Sequence, residues 1–441
     1  MADIRIDVRE PQGKIKALHG VNNGPVCYGA LIDVSDYYRE AEIPLVRIHD
    51  PNWPHAWEVD IHTIFPDFSK DAADPANYDF SRTDEYLQTI LDTGAKIVYR
   101  LGESIEHTKK KYYVHPPGDY GKWTEICVNI IRHYNEGWAD GFHHGIDYWE
   151  VWNEPDLDER MWSGTPLQLY ELYEATVKAI KAYNPALKVG GYAAARPKLP
   201  FLTGFLAYCQ ERKLPIDFFT WHTYTGDPHK IVEHAHHVRT ELDRHGYTAT
   251  ESHLNEWNYL ETEFTKIWNR GNEYVRKSNF DKQKNAFGAA FTGTVLTLLQ
   301  DCPVDEANYY DGQPTALFCG LFDYHGVPQK TYYTFKAFQR MTKHAARVRT
   351  VVSDKAPNVY GLAGLNGEGG GAALITSFGG TARLHSISLE GLEGPCIMKI
   401  YTVDDDHRLD LREERVVEGA AAFERFLPST SVTLLEWSPA K

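Results

Sequence analysis

The sequence predicts an α/β fold: an eight-stranded (β/α)8 (TIM) barrel carrying an additional antiparallel β-sandwich domain. Three observations predict it. Short β-rich apolar runs alternate with helical stretches through most of the chain. Two Asn-Glu pairs, each flanked by Trp, close two of those runs. From about Ala345 the texture changes to short apolar runs separated by Gly-rich turns, with no helical period.

The candidate barrel strands are Ile15–Gly20, Pro44–His49, Lys96–Leu101, Ile146–Trp152, Lys188–Tyr192, Phe218–Tyr224, Ala249–Glu256 and a last one near Leu298–Asp305. That is the strand count of the barrel, over a span longer than the ~250 residues typical of it. The fourth unit shows the logic. After Trp152, Thr165-Pro166-Leu167-Gln168 reads as a capping box with Pro at the first helical position. Leu169, Leu172, Tyr173, Thr176, Ile180 and Tyr183 then recur at helical spacing as one buried stripe, and Asn184-Pro185 stops the helix before the next strand. Barrel strands present their C-terminal ends at one mouth, so the Asn-Glu pairs assigned to strands four and seven become neighbours there.

The expected boundaries are a catalytic barrel over 15–344 and an accessory sandwich formed by 1–14 together with 345–441, with Ile4–Val8 adding a strand to it. Asn366-Gly367-Glu368-Gly369-Gly370-Gly371 lacks the Lys-Ser/Thr ending of a phosphate cradle and reads as a hairpin turn.

Bulk composition narrows the partners. The chain has 441 residues, 42% hydrophobic and 24% charged, within the ordinary globular range. Its formal charge of -15 argues against a polyanionic partner, and no basic stripe for nucleic acid is present; Lys109-Lys110-Lys111 reads as a solvated loop. The six cysteines, Cys27, Cys127, Cys209, Cys302, Cys319 and Cys396, form no Cys-x-x-Cys pair and read as small buried hydrophobes in a reducing compartment. No apolar run approaches the ~20 residues of a membrane helix, and the opening residues lack a secretory signal. The expectation is a cytoplasmic enzyme without a membrane partner, a secreted protein with its signal removed being the alternative. A homo-oligomeric contact through the accessory unit is compatible with the sequence.

Chemistry concentrates in Tyr148-Trp149-Glu150-Val151-Trp152-Asn153-Glu154-Pro155-Asp156 and Ser252-His253-Leu254-Asn255-Glu256-Trp257-Asn258. A carboxylate just past a buried strand, beside an amide and large aromatic faces, suits cleavage of a sugar–sugar bond. One carboxyl group protonates the leaving oxygen, the other attacks or activates water, and rings carry the apolar faces of the sugar. The His-rich stretches (His49, His55 and His62; His143-His144; His234, His236 and His237) lack the compact His-x-x-x-His spacing of a zinc enzyme. Hydrolysis by two carboxylates needs no metal or other cofactor, and none is expected.

Val151-Trp152-Asn153-Glu154-Pro155-Asp156-Leu157 resembles the acid/base motif of clan A glycoside hydrolases, and other segments narrow the resemblance to family 39, which includes β-xylosidases and α-L-iduronidases. Arg47-Ile48-His49 is similar to its second-strand Arg-x-His, Val189-Gly190-Gly191 to its fifth strand, and Thr220-Trp221-His222-Thr223-Tyr224 to its sixth. The segment from Gly320 to Phe335 resembles the family's approach to the last barrel helix, and Tyr401-Thr402-Val403-Asp404 with Asp406-His407 its late sandwich motif. Two places depart from it. Asp50 stands where the family often has Gly, and Leu101-Gly102-Glu103-Ser104-Ile105-Glu106-His107 differs from the xylosidase pattern. Both lie where the sugar to be cleaved would be held.

Roles follow. Glu154 is expected to be the acid/base, its pKa raised by burial and nearby negative charge, and Glu256 the ionised nucleophile. The resemblance implies retention with the carboxylates roughly 5 Å apart; the residues alone leave inversion open. Asn153 is expected at the sugar 2-hydroxyl, with His222 and Tyr224 ordering Glu256 and Arg47 and His49 projecting from strand two. Trp257 is a candidate platform, Trp152 a packing residue, and Glu103 a further hydroxyl ligand or a partner of Arg100 or Lys109. The expected activity is a retaining exo-glycosidase with β-xylosides as default substrate. An arabinosyl, galactosyl or uronide unit is the near alternative, and a silent carbohydrate-binding protein the alternative of another class.

Overall fold

The computed structural model describes residues 2–440 except Tyr28, Pro54, His55, Leu199, 315–317 and Cys319; His55 and Cys319 of the sequence reading therefore lie outside the described residues. Eight strands close into a barrel: β1 (Gly20–Asn22), β2 (Leu45–Ile48), β3 (Lys96–Leu101), β4 (Tyr148–Val151), β5 (Lys188–Ala194), β6 (Phe218–Thr225), β7 (Glu251–Tyr259) and β8 (Glu306–Tyr309). Every neighbouring pair is parallel, and β8 returns to β1 through Asn308 opposite Gly20. The fourth unit follows its signals closely. Helix Pro166–Tyr183 opens on a complete Thr165/Gln168 capping box and buries Leu169, Leu172, Tyr173, Thr176 and Ile180.

Three strand expectations need correction. The first strand starts at Gly20, because Ile15 instead donates its N–H to Ala345 O at the start of the sandwich. The eighth is not Leu298–Asp305 but Glu306–Tyr309; Leu298 ends helix Ala286–Leu298. That helix is buried almost all round, so it lacks the polar stripe that marks a surface helix, and its apolar tail imitates a strand. The seventh runs on to Tyr259, which puts Glu256 inside the strand and not at its end.

A second, nine-stranded sheet lies beside the barrel, in the order Arg408–Val417, Cys396–Val403, Thr430–Pro439, Gly371–Phe378, Val359–Leu365, Ala346–Val352, Ile4–Lys14, Arg383–Glu390, Ala421–Leu427. The N-terminal strand Ile4–Lys14 sits inside it, antiparallel to Ala346–Val352 and parallel to Arg383–Glu390. Helix Ala286–Leu298 fills the seam between sheet and barrel. Phe287 and Phe291 meet Phe378 at 4.9 and 5.6 Å between ring centroids, and a Cβ at Gly293 would approach Thr376 Cγ2 to 2.5 Å. Arg340 pairs with Glu436 and stacks over Tyr401, closing the edge of the seam. Cys27, Cys127, Cys209, Cys302 and Cys396 are buried and free. Among the described residues no helix is long and apolar enough to cross a membrane.

Candidate active site

The mouth of the barrel holds a cavity of about 500 Å³ lined by His49, Asp50, Trp53, Glu154, Tyr224 and Glu256 among others. That is a volume typical of small-molecule sites. Its floor is built around Arg47, which strand β2 sends into the barrel interior with no exposure. The guanidinium donates from Nε to Glu150 Oε2 at 2.7 Å, from Nη1 to Glu256 Oε2 at 3.2 Å and to Asn22 Oδ1 at 3.1 Å, and from Nη2 to Asn153 Oδ1 at 2.6 Å. Burial works against its charge, but the carboxylates of Glu150 and Glu256 outweigh that and hold it protonated.

Glu256 reaches this position through a β-bulge. Strands β6 and β7 pair Leu254 with Trp221 and then Glu256 with His222, so Asn255 is the extra residue. Asn255 and Glu256 both turn inward: Asn255 Nδ2 donates to Glu150 Oε1 at 2.5 Å, and Glu256 accepts from Arg47. Trp257 is thereby sent outward. Strict alternation would have put it with Asn255, but its ring is fully buried against Tyr309 (5.2 Å) and Phe291 (6.5 Å) and does not line the cavity. The platform expected of Trp257 is therefore corrected.

Glu154 lies just past β4, on a backbone that departs from the strand. Trp152 and Glu154 have φ of 69° and 45°, left-handed values that cost non-glycine residues about 1–3 kcal/mol each and cluster at functional sites. The Glu154 N–H donates to Ala193 O at 3.0 Å, and Asp156 ties the same loop to the end of β5 by accepting from the N–H groups of Ala195 and Arg196 at 2.9 Å. Trp152 packs between Trp123 and Trp162.

His222 joins the two glutamates: its Nδ1 is 2.7 Å from Glu154 Oε1 and 3.5 Å from Glu256 Oε2. Tyr224 donates its hydroxyl to the other oxygen of Glu256. Burial, followed by the charge of Asp156, pushes the Glu154 carboxyl up to about 8, so at neutral pH it holds a proton. Burial raises the Glu256 carboxyl above its ordinary value too, with Glu154 adding to the rise, and His222, Arg47 and the Tyr224 hydroxyl offset only part of it. The two environments differ in their partners: Arg47 and Tyr224 donate to Glu256, whereas Glu154 faces His222. Burial lowers the pKa of His222, which favours the neutral ring.

Asn153 is buried with its Nδ2 lacking an acceptor among the described residues, a free donor on the residue that precedes Glu154. His49 lines the cavity; Arg100 Nε donates to its Nδ1 at 3.1 Å, which leaves the ring proton on Nε2. Glu103 does not line the cavity. It turns to His62 Nδ1 at 2.5 Å, and Arg100 pairs with Asp60 instead, so neither Arg100 nor Lys109 is its partner. Two triads, Glu154–His222–Glu256 and Asp60–His62–Glu103, each offer ligand atoms within 4.8 Å of one another. Arg47 already neutralises part of the first and Arg100 part of the second.

Sequence reasoning missed Glu150, Asp156 and Trp53. Glu150 carried a signal, a charge in the middle of an apolar strand; Trp53 carried none, since a loop aromatic in isolation says nothing about where it points.

Comparison with known proteins gives a consistent picture. The model of a family described as Glycosyl hydrolases family 39 matches residues 33–372. A β-xylosidase of Geobacillus stearothermophilus is 27% identical over 262 residues, covering 52% of this chain and 48% of that protein. One of Caldicellulosiruptor saccharolyticus is 24% identical over 314 residues, covering 64% and 60%. The matches thus span about half of the lengths of these relatives. Among solved structures, a glucosidase from Croceicoccus marinus superposes with a TM-score of 0.84 at 27% identity over 100% of both chains. A monomeric β-xylosidase from Caulobacter crescentus CB15 gives 0.75 at 18% identity over 99% of each, which speaks to the fold.

Proposed function

The chain belongs to glycosyl hydrolases family 39, and from that premise we propose that it is a retaining exo-glycosidase with Glu154 as acid/base and Glu256 as nucleophile. The observation that carries the reading is the separation of the two carboxylates: one oxygen of each lies within 4.8 Å of the other. Retaining glycosidases place these groups about 5–5.5 Å apart, whereas inverting ones leave about 6.5–9.5 Å for a water molecule.

In the first step Glu256 attacks the anomeric carbon as the bond to the leaving oxygen breaks, and Glu154 gives that oxygen its proton. The product is a glycosyl ester on Glu256. In the second step Glu154, now a carboxylate, takes a proton from water, the hydroxide oxygen attacks the anomeric carbon and Glu256 departs. Arg47 and Tyr224 hold one oxygen of Glu256 each, so the attacking carboxylate is oriented before substrate arrives. The unpaired Asn153 amide is suited to the sugar 2-hydroxyl, a contact that strengthens as positive charge develops on the ring. His222, neutral and touching both glutamates, offers the acid's proton a resting partner between turnovers.

The default glycone is a β-xyloside, on the strength of the β-xylosidase relatives. A glucoside is the second reading, because the glucosidase resembles the chain along its whole length. NMR of the first-formed product on nitrophenyl xyloside and glucoside tests both points. A retained anomer is expected; an inverted one would remove Glu256 as nucleophile, and the ratio of kcat/KM values selects the sugar.

A further inference from the structure

We propose that Asp50, acting with His49, is a specificity-determining residue that accepts hydrogen bonds from hydroxyl groups of the glycone and so selects a neutral sugar over one bearing a carboxylate. The inference rests on the glycosidase reading and deepens it.

Asp50 lies two residues past β2, in a left-handed conformation (φ 50°) that turns its side chain off the strand path. It is only 4% exposed, yet it lines the same cavity as Glu154 and Glu256. Its protein contacts are few: Oδ1 accepts from the Ile105 N–H at 3.3 Å, Oδ2 stands 3.4 Å from His49 Nε2, both long for a charge-assisted bond, and the Ser104 side chain adds a further hydrogen bond. A carboxyl group withdrawn from water and held by so few and mostly long bonds gains from a ligand that completes its shell. The network behind it holds it in place. Asp60 fixes Arg100, Arg100 donates to His49 Nδ1, and the Nε2–H of His49 is left beside Asp50. A donor and an acceptor side by side match a sugar hydroxyl, which presents one of each. Burial and the neighbouring Asp60 push the Asp50 carboxyl up to about 7, the expected state of a site awaiting donors.

The charges facing the cavity point the same way. Asp50, Glu154, Glu256, Glu261 and Glu263 contribute five carboxyl groups, of which Glu154 holds its proton at neutral pH. The cations near them are committed: Arg47 to Glu150 and Glu256, Arg100 to Asp60, and Arg160 to Asp158. Arg196 also lines the cavity, and its backbone N–H donates to Asp156. A glycone carboxylate would thus meet repulsion beside Asp50 above about pH 7, where that group is ionised.

The test is a cycle of substrates and variants. Wild type, Asp50→Gly and Asp50→Asn are assayed on the best neutral nitrophenyl glycoside, its monodeoxy analogues, and the corresponding uronide. Gly and Asn both tolerate the left-handed backbone, so if one variant fails to fold the other supplies the cycle. Wild type is expected to lose about 10- to 100-fold in kcat/KM when one particular hydroxyl is removed, the range for a bond to a charged group. Asp50→Gly should lose a similar factor on the parent glycoside and show less than about a threefold further loss on that deoxy analogue. Equal losses for wild type and variants at every position would overturn the inference, as would a uronide cleaved as fast as the neutral sugar. A wild type inactive on every glycoside would overturn the glycosidase reading and this inference together, whereas an active wild type without coupling overturns this inference alone.

Discussion

Replacing Glu154 by Gln should stabilise the protein, and by an amount that grows with pH. The ordinary carboxyl value of 4.5 is raised to about 8 in the folded state, chiefly by burial. Below pH 4.5 both folded and unfolded chains hold the proton, and the group has no differential effect. As pH rises from 4.5 towards 8 the unfolded chain releases the proton and the folded chain keeps it, so wild-type stability falls by about 1.4 kcal/mol per pH unit from this group. At pH 7 the accumulated penalty is about 3 kcal/mol. Gln is nearly isosteric, cannot ionise, and can still donate to His222 Nδ1, so it escapes that penalty. With an unfolding entropy of about 2.1 cal/mol/K per residue, 3 kcal/mol corresponds to a rise of roughly 3–5 °C in the melting transition of the barrel. Scanning fluorimetry of wild type and variant at pH 4.5, 6, 7 and 8 isolates the effect, because other titrating groups cancel in the difference. A difference that stays constant across this range would refute the claim that Glu154 is buried as a neutral acid.

The same group should set the alkaline limb of activity: kcat/KM of wild type declines above about pH 8 as Glu154 loses its proton, and a limb falling two units lower or higher would show that another residue is the acid. Arg47→Met should destabilise by about 3–5 kcal/mol in chemical denaturation, because it strands Glu150 as an uncompensated buried charge; a Glu150→Gln change in the same background should recover part of that loss, and no recovery would sink the pairing argument. Ending the chain before Ala345 should expose the apolar faces of helix Ala286–Leu298 and yield aggregated or poorly stable protein, so a soluble, fully active barrel with an unchanged melting curve would show the sheet to be dispensable.

The sequence told most where local chemistry and position agree. The capping box at Thr165 and the alternation of β6, which sends His222 and Tyr224 towards the glutamates, are local rules that survive folding. Trp257 failed because a single extra residue, Asn255, reverses the side to which everything after it points, and a bulge leaves no mark in residue types. The eighth strand failed for a different reason. Helix Ala286–Leu298 owes its uniform apolarity to the sheet stacked on it, a tertiary fact that periodicity cannot register. Glu103 was legible as a carboxylate at a strand end, but its direction is decided by His62, 41 residues earlier in the chain. The Glu150–Arg47 pair lies beyond reach for the same reason: each looks like an isolated charge until the barrel closes.

The position of strand Ile4–Lys14 bears on how the polypeptide is made. Its two neighbours, Ala346–Val352 and Arg383–Glu390, are encoded more than three hundred residues downstream. At about 5–20 residues per second, translation leaves this strand without hydrogen-bonding partners for roughly 20–70 seconds. For that time Ile4 and Ile6, destined for full burial, stay exposed to solvent. The barrel strands, by contrast, emerge in the order in which they pair, and only the closure of β8 on β1 waits for the end of that series. Synthesis therefore presents a nascent chain whose barrel can assemble progressively while strand Ile4–Lys14 remains a free edge.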